Sequence, residues 1–458
     1  MSRRVTGVAL AVLVTAAIWG VLAYLSRIPE LWAIEATRYW FGWAIVETAV
    51  AVCVVIVALA REPKMAAFRC IMVVGLVVVA VGMAEAGALL KLFHWQLIFE
   101  KVTGEETRFG WEYEADPERG WRRHANLRFT TPSLSDLEAG WSLPPERRET
   151  LTFTYDGWGY RNPTTVNQAD VVLIGDSYVE GANIDDGQTV ARRLEARIGR
   201  PVESMGVAGY GALQELTVLE QDAKKLDPKV VVWFFFEGND LYDDIQIEAM
   251  RLAKLDYKDK SREGMAHYHK WDQRSFVIYA LRHLRRALDP VFPNHAPYYG
   301  FMTTPGHKGE AALFADYAAF PWTDYIETRW AQAAGTLRLA ATMSRERGVK
   351  LLFAFLPIKE RVYWPYVEIP EGNPARGWSF WPIRDKFNAF CQAASLPCLD
   401  LTPVFQKDLE AGNIPYLRTD THWSAHGHDL VAETLRTEFD KRGWLSLTAP
   451  VGGKAIKP

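Results

Sequence analysis

Three long apolar runs near the start of the chain constrain its folding more than any other feature of the sequence. They span residues 5–26, 39–60 and 70–90. The first has no charged residue, and the other two are each interrupted by one glutamate, Glu47 and Glu85. About 20 apolar residues in a helix are enough to cross the hydrocarbon core of a membrane. We therefore expect residues 1–95 to form a membrane anchor with three transmembrane helices.

The charges around these runs predict their orientation, because cytoplasmic loops of membrane proteins are enriched in Lys and Arg. Five basic residues flank the ends assigned to the cytoplasm: Arg3, Arg4, Arg61, Lys64 and Arg69. The N-terminus is therefore expected in the cytoplasm, and three crossings place everything after the third run outside. A cleaved signal peptide is the alternative for the first run, but the run is too long and no small-x-small cleavage site follows it.

Two glutamates lie within the apolar runs, where a charged side chain is costly and usually faces protein or water. Glu47 and Glu85 are expected either to be protonated or hydrogen-bonded between the three helices, or to contact a second membrane protein. We assign them no catalytic role.

The whole chain has the composition of a folded protein. Lys plus Arg total 52 and Asp plus Glu 55, so the net charge of −3 lacks the basic excess of a nucleic-acid-binding protein. An apolar fraction of 49% excludes a disordered chain. Four cysteines cannot form a disulfide scaffold, but Cys391 and Cys398 could close a small disulfide loop in an oxidising compartment.

From about residue 170 onward, apolar strand patterns alternate with amphipathic helix patterns. The predicted strands are 170–174, 201–205, 230–236, 350–356 and 397–401, and the predicted helices are 188–198, 212–226, 323–347, 379–394 and 424–442. This alternation predicts a doubly wound α/β fold, in which a parallel sheet lies between two layers of helices. Such folds place their sites at the carboxyl ends of the strands.

A serine and a histidine occupy the positions that matter most in such a fold. Ser177 follows the first predicted strand in a tight turn, which exposes its hydroxyl. A serine hydroxyl is a weak nucleophile near neutral pH and needs a base. His422, just before the last helix, can supply it, and Asp420 can fix the imidazole tautomer and stabilise the imidazolium.

Three groups at the strand ends are candidates for stabilising a tetrahedral oxyanion. They are the backbone N–H groups of Ser177 and Gly209 and the side-chain amide of Asn239. Asp176 and Asp240 stand beside these groups and are expected to hydrogen-bond within the turns rather than to act as catalytic acids. His426 and His428, with His422, give a His-x3-His spacing seen in metal sites. The signal is weak, and we predict neither a metal nor a cofactor.

The order of these four blocks resembles the SGNH hydrolases, also called the GDSL family, with Ser, Gly, Asn and His on Ser177, Gly209, Asn239 and His422. The family pattern places the acid three residues before the histidine, whereas Asp420 precedes His422 by two. The shorter spacing and the following tryptophan resemble the membrane-anchored bacterial alginate O-acetylation proteins. The resemblance implies an SGNH-like, flavodoxin-like three-layer domain over residues 170–445, with a lead-in segment at 96–169 and a tail at 446–458.

The resemblance also implies a function. We expect an extracytoplasmic serine esterase, anchored in a bacterial inner membrane, that cleaves acyl esters, usually acetyl, on an envelope glycan or exopolysaccharide. The alternatives are an O-acyltransferase that works with a membrane partner, which Glu47 and Glu85 could contact, and a non-catalytic binding subunit. Residues 246–322 form an insertion rich in aromatic residues, which is expected either to cover the site as a lid or to pack as an ordinary subdomain.

Overall fold

The structure is a computed structural model that describes residues 3–25, 35–90, 112–133, 135–141, 149–241, 243–244, 275–287, 298–319 and 321–445, with single residues at 92, 95 and 98. The chain divides into two compact units. The first comprises Met1–Arg108, Trp141–Pro144 and Ala266–Pro297. The second comprises Phe109–Gly140, Pro145–Met265 and Tyr298–Pro458. The predicted insertion is therefore divided between the two units, and most of the predicted lead-in segment belongs to the second.

Helices and strands are numbered in chain order. The described helices are α1 (Arg3–Leu25), α2 (Glu35–Leu59), α3 (Pro63–Leu89), α4 (Asp136–Trp141), α5 (Ser177–Glu180), α6 (Val190–Ile198), α7 (Ala212–Gln221), α8 (Phe276–Ala287), α9 (Asp324–Glu346), α10 (Lys359–Tyr363), α11 (Ile383–Ala393), α12 (Thr402–Glu410) and α13 (Ala425–Arg442). The described strands are β1 (Tyr113–Asp116), β2 (Gly120–Arg123), β3 (Arg128–Pro132), β4 (Thr150–Thr154), β5 (Val171–Gly175), β6 (Val202–Gly206), β7 (Val230–Phe236), β8 (Tyr299–Met302), β9 (Ala311–Leu313), β10 (Lys350–Leu356), β11 (Val367–Glu368) and β12 (Cys398–Asp400).

The first unit contains the apolar helices. By length and composition, Val5–Tyr24 within α1 and Pro63–Leu89, which is α3, are long enough to cross a membrane. The prediction of three such helices is corrected to two on this criterion. The apolar part of α2, Trp43–Leu59, is shorter. At 1.5 Å per residue it extends about 25 Å, less than the roughly 30 Å of a hydrocarbon core.

The two glutamates of this unit have different partners. Thr15 Oγ1 on α1 donates a 3.0 Å hydrogen bond to Glu47 Oε1 on α2, so Glu47 is hydrogen-bonded between helices, as one of the two alternatives predicted. Glu85 instead accepts hydrogen bonds from Ser275 Oγ (2.8 Å) and the backbone N–H of Val277 (2.7 Å) at the start of α8. That helix belongs to the predicted insertion, so the partner of Glu85 is not another of the three N-terminal helices.

The second unit is built on a five-stranded parallel sheet with strand order β12-β10-β7-β5-β6. All five predicted strands are confirmed. Every residue of β5, β6 and β7 is buried, which explains why Val230–Phe236 contains no polar residue. Two hydrophobic clusters, one on each face of the sheet, pack it against the helices. The α/β class and the parallel sheet are therefore as expected.

Most helix predictions agree with the structure apart from their ends. The predicted helix 188–198 begins at Val190, because the Thr189 hydroxyl caps it, and Asp185 caps a preceding 3₁₀ turn instead. Predicted helix 212–226 is interrupted at Asp222 and continues as a 3₁₀ turn, Ala223–Leu226. Helix α12 was not predicted. Cys391 at the end of α11 and Cys398 in β12 form a disulfide, with Cα atoms 6.1 Å apart, as the sequence suggested.

The lead-in and the insertion contribute small antiparallel sheets to this unit. Strands β1 and β2 form one hairpin and β3 and β4 another, while β8 pairs with β9 and β11. Tyr298, Phe314 and Tyr317 of the insertion pack in the hydrophobic cluster on one face of the main sheet, which is the ordinary packing that one alternative predicted. Three aromatic residues of the insertion, Tyr257, Tyr268 and Trp271, lie outside the described residues, as does the tail at 446–458.

Candidate active site

Ser177 lies at the start of α5, directly after strand β5. The carboxylate of Asp176 caps this short helix by accepting a 3.0 Å hydrogen bond from the N–H of Tyr178. The turn packs closely on the next strand, because a Cβ at Gly206 would lie 2.4 Å from the backbone nitrogen of Glu180. Glycine is therefore required in β6 for the serine turn to adopt this position.

Three residues predicted for the site lie together in the structure, although Ser177 and His422 are 245 residues apart in the sequence. Ser177 Oγ is 2.7 Å from His422 Nε2, and His422 Nδ1 is 2.6 Å from Asp420 Oδ1. The same carboxylate oxygen accepts a 2.8 Å hydrogen bond from the backbone N–H of His422. The structure thus places the Ser177 hydroxyl, the His422 imidazole and the Asp420 carboxylate in hydrogen-bond sequence, an arrangement that can activate a serine hydroxyl.

The second oxygen of Asp420 is held by two donors from other parts of the chain. Asn183 Nδ2 donates at 3.0 Å and the backbone N–H of Asp136 at 2.9 Å. Asn183 has a φ of +61°, a left-handed conformation that asparagine tolerates better than most residues. With both oxygens bonded, the carboxylate is fixed in orientation, which in turn fixes the imidazole.

A buried ammonium group forms hydrogen bonds with the loop that carries Asp420 and His422. Lys359 Nζ donates to the backbone carbonyls of Leu417 (2.7 Å), Arg418 (2.8 Å) and Asp420 (3.1 Å). Lys359 is only 1% exposed, so these three bonds compensate for the loss of water around its charge. The cation thereby ties the end of β10 to the histidine loop.

A second carboxylate lies on the other side of this loop. Asp136, at the start of α4, accepts hydrogen bonds from the backbone N–H (2.9 Å) and the hydroxyl of Thr421. Its Oδ2 is 3.9 Å from His422 Nδ1. Next to it, the Thr419 hydroxyl donates to Glu138 Oε1 (2.8 Å). Residues of the lead-in segment therefore form hydrogen bonds with Thr419, Asp420 and Thr421 of the loop that carries His422.

The electrostatics follow from these positions. Burial alone would lower the pKa of His422, but Asp420, with Asp136 and Asp176, raises it to about 9. Burial would raise the pKa of Asp420, but the imidazolium and the hydrogen bonds from His422 lower it to about 2. Burial and the charge of Asp420 raise the pKa of Asp136 to about 6. The site therefore favours the protonated imidazole that forms when it removes a proton from a serine.

The three candidate oxyanion donors follow neighbouring strands of the sheet. Ser177 follows β5, Gly209 follows β6 and Asn239 follows β7, and the order of the strands is β7-β5-β6. Gly209 has a φ of +78°, which favours glycine there. Asn239 is half-buried, and its Oδ1 accepts no hydrogen bond from the described residues. The topology thus brings the three donors to one edge of the sheet.

Glu180 holds the loop that contains Gly209. Its Oε2 accepts a 2.7 Å hydrogen bond from the backbone N–H of Ala208, and its Oε1 is bonded to Arg123 Nε (2.7 Å) and Tyr155 OH (2.8 Å). Both members of the Glu180–Arg123 ion pair are buried. Burial raises the pKa of Glu180, but the Arg123 charge outweighs it, and the net shift is downward. The ion pair therefore connects the serine helix, the glycine loop and the lead-in segment.

The loop that contains Asn239 is fixed by two acidic neighbours. Glu237 forms a salt bridge with Arg361 and accepts a 3.2 Å hydrogen bond from the N–H of Ile358. Asp240 Oδ2 accepts a 2.8 Å hydrogen bond from the N–H of Phe236. Asp240 and Asp176 thus bond to backbone groups within their own turns, as the sequence analysis expected of them.

The residues considered for a metal do not converge as the sequence spacing suggested. His426 bonds to Asp408 (2.9 Å), and His428 accepts a hydrogen bond from the N–H of Val190 (3.2 Å). A different group, Asp136, Asp420 and His422, brings ligand-type atoms within 4.8 Å of one another. Those atoms are already engaged in the hydrogen bonds described above, so we assign them to the serine site.

Three residues that support the histidine loop were not predicted from the sequence: Asp136, Asn183 and Lys359. Lys359 lies at a strand end, which was a usable signal, but a lysine there is ordinarily solvated. Asp136, at the start of α4, and Asn183, in a turn, lie in segments without a distinctive sequence pattern. Their roles arise only from long-range contacts between the lead-in segment, the serine helix and the end of the chain.

Comparison with known proteins finds similarity over part of the second unit. Residues 320–450 match the family described as SGNH hydrolase-like domain, acetyltransferase AlgX. The chain is also similar to a protein of Pseudomonas aeruginosa named "Probable alginate O-acetylase AlgJ", with 31% identity over 139 residues, which are 30% of this chain and 33% of that protein. The chain thus spans about a third of the length of this relative. The family match contains Asp420 and His422 but not Ser177.

The chain also aligns with solved structures at low sequence identity. A GDSL-like lipase of Bacteroides thetaiotaomicron aligns with 59% of this chain and 88% of its own, at 14% identity and a TM-score of 0.30. An acetylxylan esterase of Geobacillus stearothermophilus aligns with 60% of this chain and 95% of its own, at 12% identity and a TM-score of 0.31.

Proposed function

We propose that this chain transfers acyl groups from esters through Ser177. It carries an SGNH hydrolase-like domain of the kind found in alginate O-acetylation proteins. One observation carries the proposal: Ser177 Oγ lies 2.7 Å from His422 Nε2, whose other nitrogen lies 2.6 Å from the Asp420 carboxylate. The half of the site that holds His422 lies within the family match, and Ser177 meets it from outside that match.

The chemistry follows from these roles. Ser177 Oγ attacks the carbonyl carbon of an ester while its proton passes to His422 Nε2. The oxyanion that forms is stabilised by the N–H groups of Ser177 and Gly209 and the amide of Asn239. Collapse breaks the bond to the leaving oxygen, which takes the proton from His422 and departs as an alcohol. An acyl ester of Ser177 remains.

The acceptor of this acyl group defines two candidate functions. Attack by water makes the protein an esterase that removes acetyl groups from an envelope glycan or exopolysaccharide. Attack by a sugar hydroxyl makes it an O-acetyltransferase, and the names of the matched family and of the Pseudomonas relative favour this second function. A transferase outside the membrane needs an acyl donor, which a membrane partner would supply. The intact serine, histidine and carboxylate argue against a purely binding role.

The second unit is proposed to lie outside the cytoplasm of a bacterial cell. The disulfide between Cys391 and Cys398 supports this location, because such bonds persist in oxidising compartments. Protease digestion of spheroplasts tests this location: cleavage of the second unit is expected, and full protection would contradict it.

Activity measurements with the full-length protein in detergent test the function. We expect p-nitrophenyl acetate turnover to fall by about a thousandfold or more in Ser177→Ala and in His422→Ala. His426→Ala is the matched control, since that imidazole is half-exposed and bonds to Asp408, and it should keep wild-type turnover. Equal turnover in wild type and Ser177→Ala would overturn the proposal.

The same assay with alginate oligosaccharides separates the two candidates. Release of acetate into water without change of the oligosaccharide supports the esterase. Acetylated oligosaccharide, detected by mass spectrometry and absent with Ser177→Ala, supports the transferase.

A further inference from the structure

We propose that Asp136 is a positioning residue of this site: its carboxylate holds the loop that carries His422 and places a second negative charge beside the imidazole. Asp136 precedes the serine motif by about 40 residues and was not singled out by the sequence. The inference rests on the proposed function, because it assigns a role toward the base of that reaction.

Asp136 forms hydrogen bonds with the loop through both its carboxylate and its backbone N–H. Its carboxylate accepts hydrogen bonds from the backbone N–H and the hydroxyl of Thr421, the residue between the acid and the base. Its own backbone N–H donates to Asp420 Oδ2 at 2.9 Å. One residue therefore contacts both the orienting carboxylate and the peptide that precedes the imidazole.

The distance to the imidazole gives Asp136 an electrostatic effect as well. Asp136 Oδ2 is 3.9 Å from His422 Nδ1, whereas Asp420 Oδ1, at 2.6 Å, holds the proton-bearing nitrogen. A carboxylate within about 4–6 Å favours the charged form of a neighbouring base. The side chain of Asp136 is 36% exposed, so water weakens this effect without removing it.

The other charged groups around His422 are few among the described residues. Asp420 lies on its own loop, Asp176 on the serine turn and Asp136 on α4, and all three raise its pKa. The Lys359 ammonium donates a hydrogen bond to the backbone carbonyl of Asp420. Asp136 is the one of the three carboxylates that is bonded neither to His422 nor within the serine turn, so it can be neutralised with least disturbance.

The two roles make different predictions for two substitutions. Asp136→Asn keeps an oxygen that can accept the bond from Thr421 N–H but removes the charge. The imidazolium then loses stabilisation, its pKa falls, and the acidic limb of the kcat/KM profile moves to lower pH by about one unit. Asp136→Ala also loses the hydrogen bonds, so kcat should fall by about tenfold in addition. A structural role alone would lower activity without moving the limb.

The experiment measures kcat/KM for p-nitrophenyl acetate from pH 5 to about 10 in the full-length protein. Glu114→Gln is the matched control, because Glu114 lies in the same lead-in segment and pairs with exposed Arg122; its profile should match wild type. A downward shift in Asp136→Asn supports the inference. An unshifted limb in a variant with wild-type thermal stability overturns it.

A second measurement covers the case of a poorly folded variant. The pKa of His422 can be read by NMR of ¹³C-labelled histidine in Thr421→Val, which loses the hydroxyl bond but keeps both carboxylates. There the pKa should stay near that of wild type, and a large fall would mean that the hydroxyl bond, not the charge, matters. Failure of the proposed function is separate, because it appears as turnover that survives Ser177→Ala.

Discussion

The two halves of the site are built in different ways. The serine half is made of strand ends: Ser177, Gly209 and Asn239 follow three adjacent strands whose residues are wholly buried. The histidine half is a loop between α12 and α13, and side chains from distant parts of the chain hold it. The position of the serine is therefore specified largely by the sheet, and that of the histidine by individual long-range hydrogen bonds.

This difference determines what each half can tolerate. A strand end is kept in place by many backbone hydrogen bonds and by the hydrophobic core on both faces of the sheet. The histidine loop depends on a few polar contacts, among them those of Lys359 and Asp136. Single substitutions in the supports of the loop should therefore affect activity more than stability, while the supports of the serine half should affect both.

The largest effect on stability is expected at the buried Glu180–Arg123 ion pair of the serine half. Glu180→Gln leaves the buried Arg123 guanidinium with the more distant Glu112 carboxylate, 4.0 Å away, as its remaining ion-pair partner among the described residues. This should cost about 3 kcal/mol in the free energy of unfolding. Thermal unfolding of the full-length protein measures this. Glu195→Gln is the control, since its pair with Arg192 is partly exposed and should cost less than about 1 kcal/mol. Equal losses in the two variants would contradict the comparison.

A smaller loss of stability but a clear loss of turnover is expected for the histidine half. Lys359→Met keeps the length of the side chain and removes three bonds to backbone carbonyls. We expect the free energy of unfolding to fall by about 2 kcal/mol in the same thermal assay. We also expect kcat to fall at least tenfold, because the Asp420 loop is no longer fixed.

Lys386→Met, a partly exposed lysine paired with Glu327, is the matched control and should change neither quantity by much. Unchanged kcat in Lys359→Met would show that the histidine loop does not need this support.

The smallest effect on turnover is expected from the disulfide, which involves the edge strand β12. The paired substitution Cys391→Ser and Cys398→Ser opens a short loop and should cost about 2 kcal/mol, seen as a lower unfolding temperature. Turnover of p-nitrophenyl acetate at 25 °C should stay near wild type. A large loss of turnover would mean that the edge of the sheet influences the site.

The same difference explains how much the sequence could predict. The strands and the serine block were found because buried parallel strands are continuous apolar runs and because active sites lie at their carboxyl ends. Asp420 and His422 were found through a short motif. Asp136, Asn183 and Lys359 were not, since their roles depend on which loops meet in space. Run length predicted three helices long and apolar enough to cross a membrane, and two of the described helices meet that criterion.

Arg123 is a further case. The sequence shows it in a basic cluster of the lead-in segment, where charges usually form a solvated face. In the structure it is buried against Glu180, with its guanidinium over the ring of Tyr113 at 3.8 Å. No local pattern distinguishes such an arginine from its exposed neighbour Arg122, because burial of the pair requires two segments 57 residues apart to pack together.

The most direct test of the central claim is to trap the acyl-enzyme. Full-length protein is mixed with p-nitrophenyl acetate, quenched with acid within the first turnover and digested, and the peptides are analysed by mass spectrometry. We predict one acetyl group on the peptide that contains Ser177, and none on that peptide in Ser177→Ala. Turnover without any acetylated Ser177, or acetylation at another residue that supports turnover, would contradict the account.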